Sequence, residues 1–130
     1  MPENRSFPGD PDGREILGGP ATFNVVWSTS KFRDANPKAY GAFVSALEEA
    51  IDTINRDKRA AAEVYKRMTS TSESIDELDR MLSDPQVEMT VTPNKIMKTA
   101  TFMQSVGRVK SVPSSWTELF FPNVHGTKGS

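Results

Sequence analysis

Tyr40, Phe43, Val44, Leu47, Ile51 and Ile54 fall at positions i, i+3, i+4, i+7, i+11 and i+14. That spacing is one stripe of a period of about 3.6 residues, with Glu48, Glu49 and Asp52 mostly off it. A long amphipathic helix is therefore the element around which the rest of this chain must be built. Asn36-Pro37 supplies its start, because asparagine can cap free N–H groups and a proline at the first helical position has no N–H to leave unpaired. Burial of the six side chains would contribute about 10 kcal/mol before entropy, at ~1.5–3 kcal/mol each.

Before this helix, Gly18, Gly19 and Pro20 form a turn, and Phe23, Val25 and Trp27 alternate with Thr22, Asn24 and Val26 as in a short strand. The hydroxyls of Ser28, Thr29 and Ser30 end that strand and open a helical turn over residues 31–34. After it, Asp57 caps a second long helix, with Ala60, Ala61, Val64, Tyr65 and Met68 on one side. Ser74-Ile75-Asp76-Glu77 matches a capping box, and the helix it starts ends before Pro85. Val87, Met89 and Val91 alternate with Glu88, Thr90 and Thr92 as a second short strand. Thr92-Pro93 starts a further helix carrying Ile96, Met97, Ala100, Met103 and Val106, closed at Gly107. A last helical turn is expected over residues 115–121. The pattern gives four to five helices and two short strands, in one domain. Two isolated strands do not make a stable sheet, since about three strands or a covering helix are needed.

Charge and composition narrow the function classes. Sixteen basic residues stand against 17 acidic ones, and the net charge of -1 gives no long-range pull toward nucleic acid or an anionic membrane. There are no cysteines, which removes thiolate metal sites, disulfides and cysteine nucleophiles. The proline- and glycine-bearing residues 1–15 read as a disordered lead-in without an apolar core of an export signal, and residues 123–130 as a flexible tail. No run approaches the ~20 apolar residues of a membrane-spanning helix.

Individual candidates for chemistry are few. His125, the single histidine, has no positioned carboxylate or hydroxyl partner near it in sequence. Glu48 and Glu49 point about 100° apart on a helix and read as a solvated face. Met68, Met81, Met89, Met97 and Met103 sit at apolar positions and read as core filling. Lys95, Lys98, Arg108 and Lys110 offer a weak anion patch, and Trp116, Phe120 and Phe121 an aromatic cluster that docks the C-terminal turn. The Gly18-Gly19 turn lets the backbone approach another group closely, beside the hydrogen-bonding side chains of Thr22 and Asn24.

The order of these signals resembles a family. ILGGPATFNVVWSTSKFRDANPKAYGAFVSALEEAIDTINRDKRAAAEVY, followed by TPNKIMKTATFMQSVGRVKSVPSSWTELFFP, looks like the C-terminal portion of the solute-binding proteins of nitrate, sulfonate, taurine and thiamine-precursor ABC transporters. The resemblance covers residues 16–122. It implies an α/β fold of the type II periplasmic-binding-protein kind, present here only as a mostly helical C-terminal fragment of a lobe with a hinge-proximal strand. It implies a non-enzymatic role without cofactor or metal: a small oxyanion, sulfonate or thiamine-precursor-like ligand held at a cleft and delivered to an ABC permease in the periplasm. Gly19, Pro20, Ala21 and Thr22 would be the cleft-edge ligand positions, and unpaired strands would allow self-association. An alternative from a different class is a free-standing helical protein-interaction module using the terminal aromatics.

Overall fold

The computed structural model describes Glu15 and residues 17–130. The expected lead-in over residues 1–15 lies, apart from Glu15, outside the described residues. The expected α/β fold with two short strands is corrected: five α-helices lie wholly within the described residues, and no strand occurs among them. The helices are α1 (Ser30–Ala35), α2 (Pro37–Arg56), α3 (Lys58–Thr69), α4 (Ile75–Ser83) and α5 (Ile96–Ser105), followed by 3-10 turns at Trp116–Glu118 and Pro122–Val124. A strand is held by a ladder of bonds to its neighbour's backbone, and neither alternating segment forms such a ladder among the described residues. In the first, Thr22 N–H donates to the Asn94 carbonyl at 2.9 Å, but Asn94 N–H returns to the Thr22 hydroxyl oxygen at 2.9 Å instead of to a carbonyl. Trp27 beyond it is 82% exposed. In the second, Val87 N–H turns back on the Asp84 carbonyl, and the Met89 carbonyl accepts from the Asn55 side-chain amide at 2.8 Å.

The chain divides into two compact units, Val25–Val91 and the described residues up to Asn24 together with Thr92–Ser130. In the first, each helix start is a local event. The Thr29 hydroxyl accepts from Phe32 N–H at 3.1 Å, and the Asp57 carboxylate accepts from Ala60 N–H at 2.9 Å. Asn36 does not cap α2 as its position suggests. Its side-chain amide donates backwards to the Phe32 carbonyl, closing α1, while Pro37 opens α2. Ser70 closes α3 in a left-handed conformation, at φ 52°.

The capping box forms as the sequence predicts. Glu77 N–H donates to the Ser74 hydroxyl at 3.2 Å, and the Glu77 carboxylate accepts from Ser74 N–H at 2.7 Å. The Ser74 backbone N–H first, and its hydroxyl second, hold the Glu77 carboxyl below its ordinary value of about 4.5. A depressed folded-state value means that this stabilisation is complete above the unfolded value and is lost as pH falls through the folded one. Thermal melts across the acid range should therefore show a midpoint that drops below about pH 4.5, and a Glu77→Gln chain should lose part of that dependence.

The closest packing in this unit is the α3–α4 hairpin, where Ala62 is fully buried and Leu78 is 7% exposed. Three basic side chains of α3 hold the hairpin together. Lys58 Nζ donates to the Leu82 carbonyl at 2.9 Å, Lys66 Nζ to the Glu73 carbonyl at 2.7 Å, and Arg59 pairs with Asp76 at 2.9 Å and Asp79 at 3.7 Å. Helix α2 packs more openly. None of its six stripe residues is buried; Phe43 is 51% exposed and the other five are half-buried, so the stripe contributes well below the full-burial figure.

In the other unit, α5 begins later than Thr92-Pro93 suggests, because Pro93 is buried ahead of it and Lys95 takes up a left-handed conformation at φ 57°. Gly107, at φ 73°, ends it, and Arg108 N–H reaches back to the Met103 carbonyl at 2.8 Å. Residues 123–130, a tail by composition, are tied to the start of α5. Ser130 N–H donates to the Pro93 carbonyl at 2.9 Å, Ile96 N–H to the Ser130 carbonyl oxygen at 2.6 Å, and Lys95 N–H to the Ser130 hydroxyl at 3.0 Å.

Candidate functional site

Within the unit Val25–Val91, an open groove of about 810 Å³ runs between α2 and the α3–α4 hairpin. It arises from side-chain size. On α2 the wall is Ala46, Glu49, Ala50 and Thr53 together with Ile54, the last residue of the large apolar stripe; Ala46, Ala50 and Thr53, spaced i, i+4 and i+7, lie roughly 100° round the helix from the middle of that stripe. On α3 the facing wall includes Ala60 and Ala61. Methyl groups on both sides cannot fill the space between two helices, so the volume stays open. Its floor and far wall come from longer side chains: Val64, Tyr65 and Met68 of α3, Leu78, Met81 and Leu82 of α4, and Met89 beyond it.

The groove is apolar with one charged edge. The Thr53 hydroxyl is turned back to the Glu49 carbonyl at 2.8 Å, so it offers the groove little polarity. Glu49 is the single charged lining residue. Its carboxylate forms no ion pair among the described residues. The methionines expected as core filling behave differently here. Met68 is 75% and Met81 61% exposed, both on the groove wall. Flexible, polarisable side chains presented to solvent in this way are suited to moulding around an apolar partner surface.

The positions implied by the resemblance lie in the other unit. Gly18 and Gly19 both have positive φ, 72° and 133°, conformations that glycine adopts freely. A side chain at Gly19 would come within 3.7 Å of Lys95 Cε, and one at Gly18 within 3.9 Å of Lys98 Nζ. Two of the four residues of the expected anion patch thus meet the glycine pair, and Thr22 meets Asn94 in the reciprocal bonds described above. Pro20 is exposed and Ala21 half-buried, with no hydrogen bond to either assigned.

The terminal aromatics form a small cluster in the same unit. The Trp116 ring meets Phe120 edge-on at 6.1 Å and His125 at 5.9 Å between centroids. His125 Nε2 lies 2.9 Å from the Phe120 carbonyl, which only accepts, so Nε2 carries the proton. The histidine is committed to this cluster. No group of three or more histidine, cysteine or acidic residues placed to hold a metal ion occurs among the described residues, and none of their helices is long and apolar enough to cross a membrane.

No protein-family model, curated protein or solved structure matches the chain. The groove was not visible in the sequence, where the stripe of α2 drew attention to a face that shares only Ile54 with the groove wall. A signal was present in the paired alanines, Ala46 with Ala50 and Ala60 with Ala61, set among methionines.

Proposed function

We propose that residues 25–91 form a protein-interaction module that receives an amphipathic helix of a partner in the groove between α2 and the α3–α4 hairpin. One observation carries the reading: an open apolar volume of about 810 Å³ whose walls leave Met68 and Met81 largely in solvent. Helix-in-groove recognition uses such a surface, reading apolar anchors at i, i+3, i+4 and i+7. Fully covering each large side chain is worth about 1.5–3 kcal/mol, set against the cost of immobilising the partner. This reading takes the methionine-lined groove as the interaction surface in preference to the terminal aromatics, because Trp116 already packs against Phe120 and His125.

The experiment is fluorescence anisotropy with a labelled helical peptide bearing apolar residues at that spacing. Ala50 lines the groove from an exposed position, so Ala50→Trp fills the groove without entering a packed core. The wild-type chain is expected to bind the peptide and Ala50→Trp to bind at least about 10-fold more weakly, with unchanged far-UV circular dichroism. Equal affinity for the two chains, or no binding to the wild type, overturns the reading.

The solute-binding role implied by the resemblance is a second reading, with Gly19, Pro20, Ala21 and Thr22 as its ligand positions. It is supported by the approach of Gly19 to Lys95, by the bonds of Thr22 with Asn94, and by the resemblance. The groove reading has more support because its surface is open, whereas the N–H groups of Lys95 and Ile96 beside Gly19 are already taken by Ser130.

A further inference from the structure

Resting on the groove reading, we propose that the helix the groove receives is basic, with a Lys or Arg beside its apolar anchors to meet Glu49. The two walls of the groove differ in how their charges are spent. On the α3–α4 side, Lys58, Arg59 and Lys66 are committed to the hairpin, to the Leu82 carbonyl, to Asp76 and Asp79, and to the Thr71 and Glu73 carbonyls. Arg80 of α4 donates to the Asp76 carbonyl at 3.3 Å. Lys38, Arg56 and Arg67 carry no such bond to the hairpin and do not line the groove.

On the α2 side the situation is reversed. Glu49 lines the groove, exposed and without an ion pair among the described residues, and Asp52 follows it at i+3 on the neighbouring helix surface, also exposed and unpaired. The one charged side chain that lines the groove is thus, among the described residues, an unpaired carboxylate on its α2 edge, whereas on the hairpin Arg59 is paired with carboxylates and the ammonium groups of Lys58 and Lys66, still charged, are fixed at backbone carbonyls outside the lining. A partner bearing carboxylates on that edge meets like charge, and one bearing ammonium or guanidinium groups meets its complement. The whole chain, at a net charge of -1, supplies no comparable field, so the preference comes from this edge.

The test uses two labelled helical peptides with the same apolar face, one flanked by lysines and one by glutamates, titrated into wild-type, Glu49→Lys and Ala50→Trp chains at low and high salt. The wild type is expected to prefer the lysine peptide by about 5-fold or more at low salt, with the preference shrinking at high salt. Glu49→Lys should abolish or invert the preference while both peptides still bind, and Ala50→Trp should weaken both. Binding of both peptides with equal affinity, or a preference that Glu49→Lys leaves intact, overturns the basic-partner proposal while leaving the groove reading standing. Failure of both peptides to bind the wild type removes the groove reading itself.

Discussion

Replacing Gly129 with alanine is expected to unseat the C-terminal segment from the start of α5. A β-carbon at Gly129 would lie 2.7 Å from both Cε2 and Cζ2 of Trp116 and 3.0 Å from the Pro93 carbonyl oxygen. Neither neighbour yields easily. The indole is held edge-on by Phe120 and His125, and the Pro93 carbonyl accepts the Ser130 N–H. Overpacking of this kind costs about 1–3 kcal/mol. Relief requires residue 129 to move, and movement there breaks the bonds from Ser130 to residues 93–96. The measurement is tryptophan emission in a Trp27→Phe background, which leaves Trp116 as the reporter. The glycine-to-alanine chain should show red-shifted emission and a lower thermal midpoint; unchanged values for both would show that the segment is not seated as described.

Leu78→Ala is expected to cost about 2–4 kcal/mol, a large share of what a unit of this size possesses. In Val25–Val91 the fully packed apolar side chains are Ala62 and Leu78, and they meet where α3 and α4 are closest. Truncating Leu78 leaves a cavity at that contact. Met81, one turn of helix away and 61% exposed, provides the contrast. Met81→Ala should shift stability by under about 0.5 kcal/mol while weakening peptide binding in the groove. Urea melts followed by far-UV circular dichroism separate the two, and equal stability losses at positions 78 and 81 would contradict the assignment of one to core and the other to a docking wall.

What was legible in the sequence is what local chemistry decides. Asp57, the Ser74–Glu77 box, Pro37 and Gly107 each act on groups within four residues, so the helix ends they mark appear where their chemistry puts them. Non-local structure was not legible. Residues 22–27 and 87–92 have the alternation of strands, but alternation describes a face, and a strand also needs a backbone to pair with. The groove escaped for the same reason. An alanine on a helix is silent about the distance to the helix opposite, and it is the meeting of Ala46 and Ala50 with Ala60 and Ala61 across the gap that leaves the volume open. The stripe of α2 predicted a helix correctly and its burial incorrectly, since period fixes conformation while the supply of partners fixes coverage.

The unit Val25–Val91 is continuous in sequence, whereas the other is assembled from segments on either side of it. During vectorial synthesis the hairpin of α3 and α4 is complete once Ser83 has emerged, but the pairing of Thr22 with Asn94 must await residue 94 and the capping of Ile96 by Ser130 must await residue 130. The methionine-lined groove therefore belongs to the unit whose assembly needs none of residues 92–130, so its shape can be complete while the other unit is still waiting for its second segment.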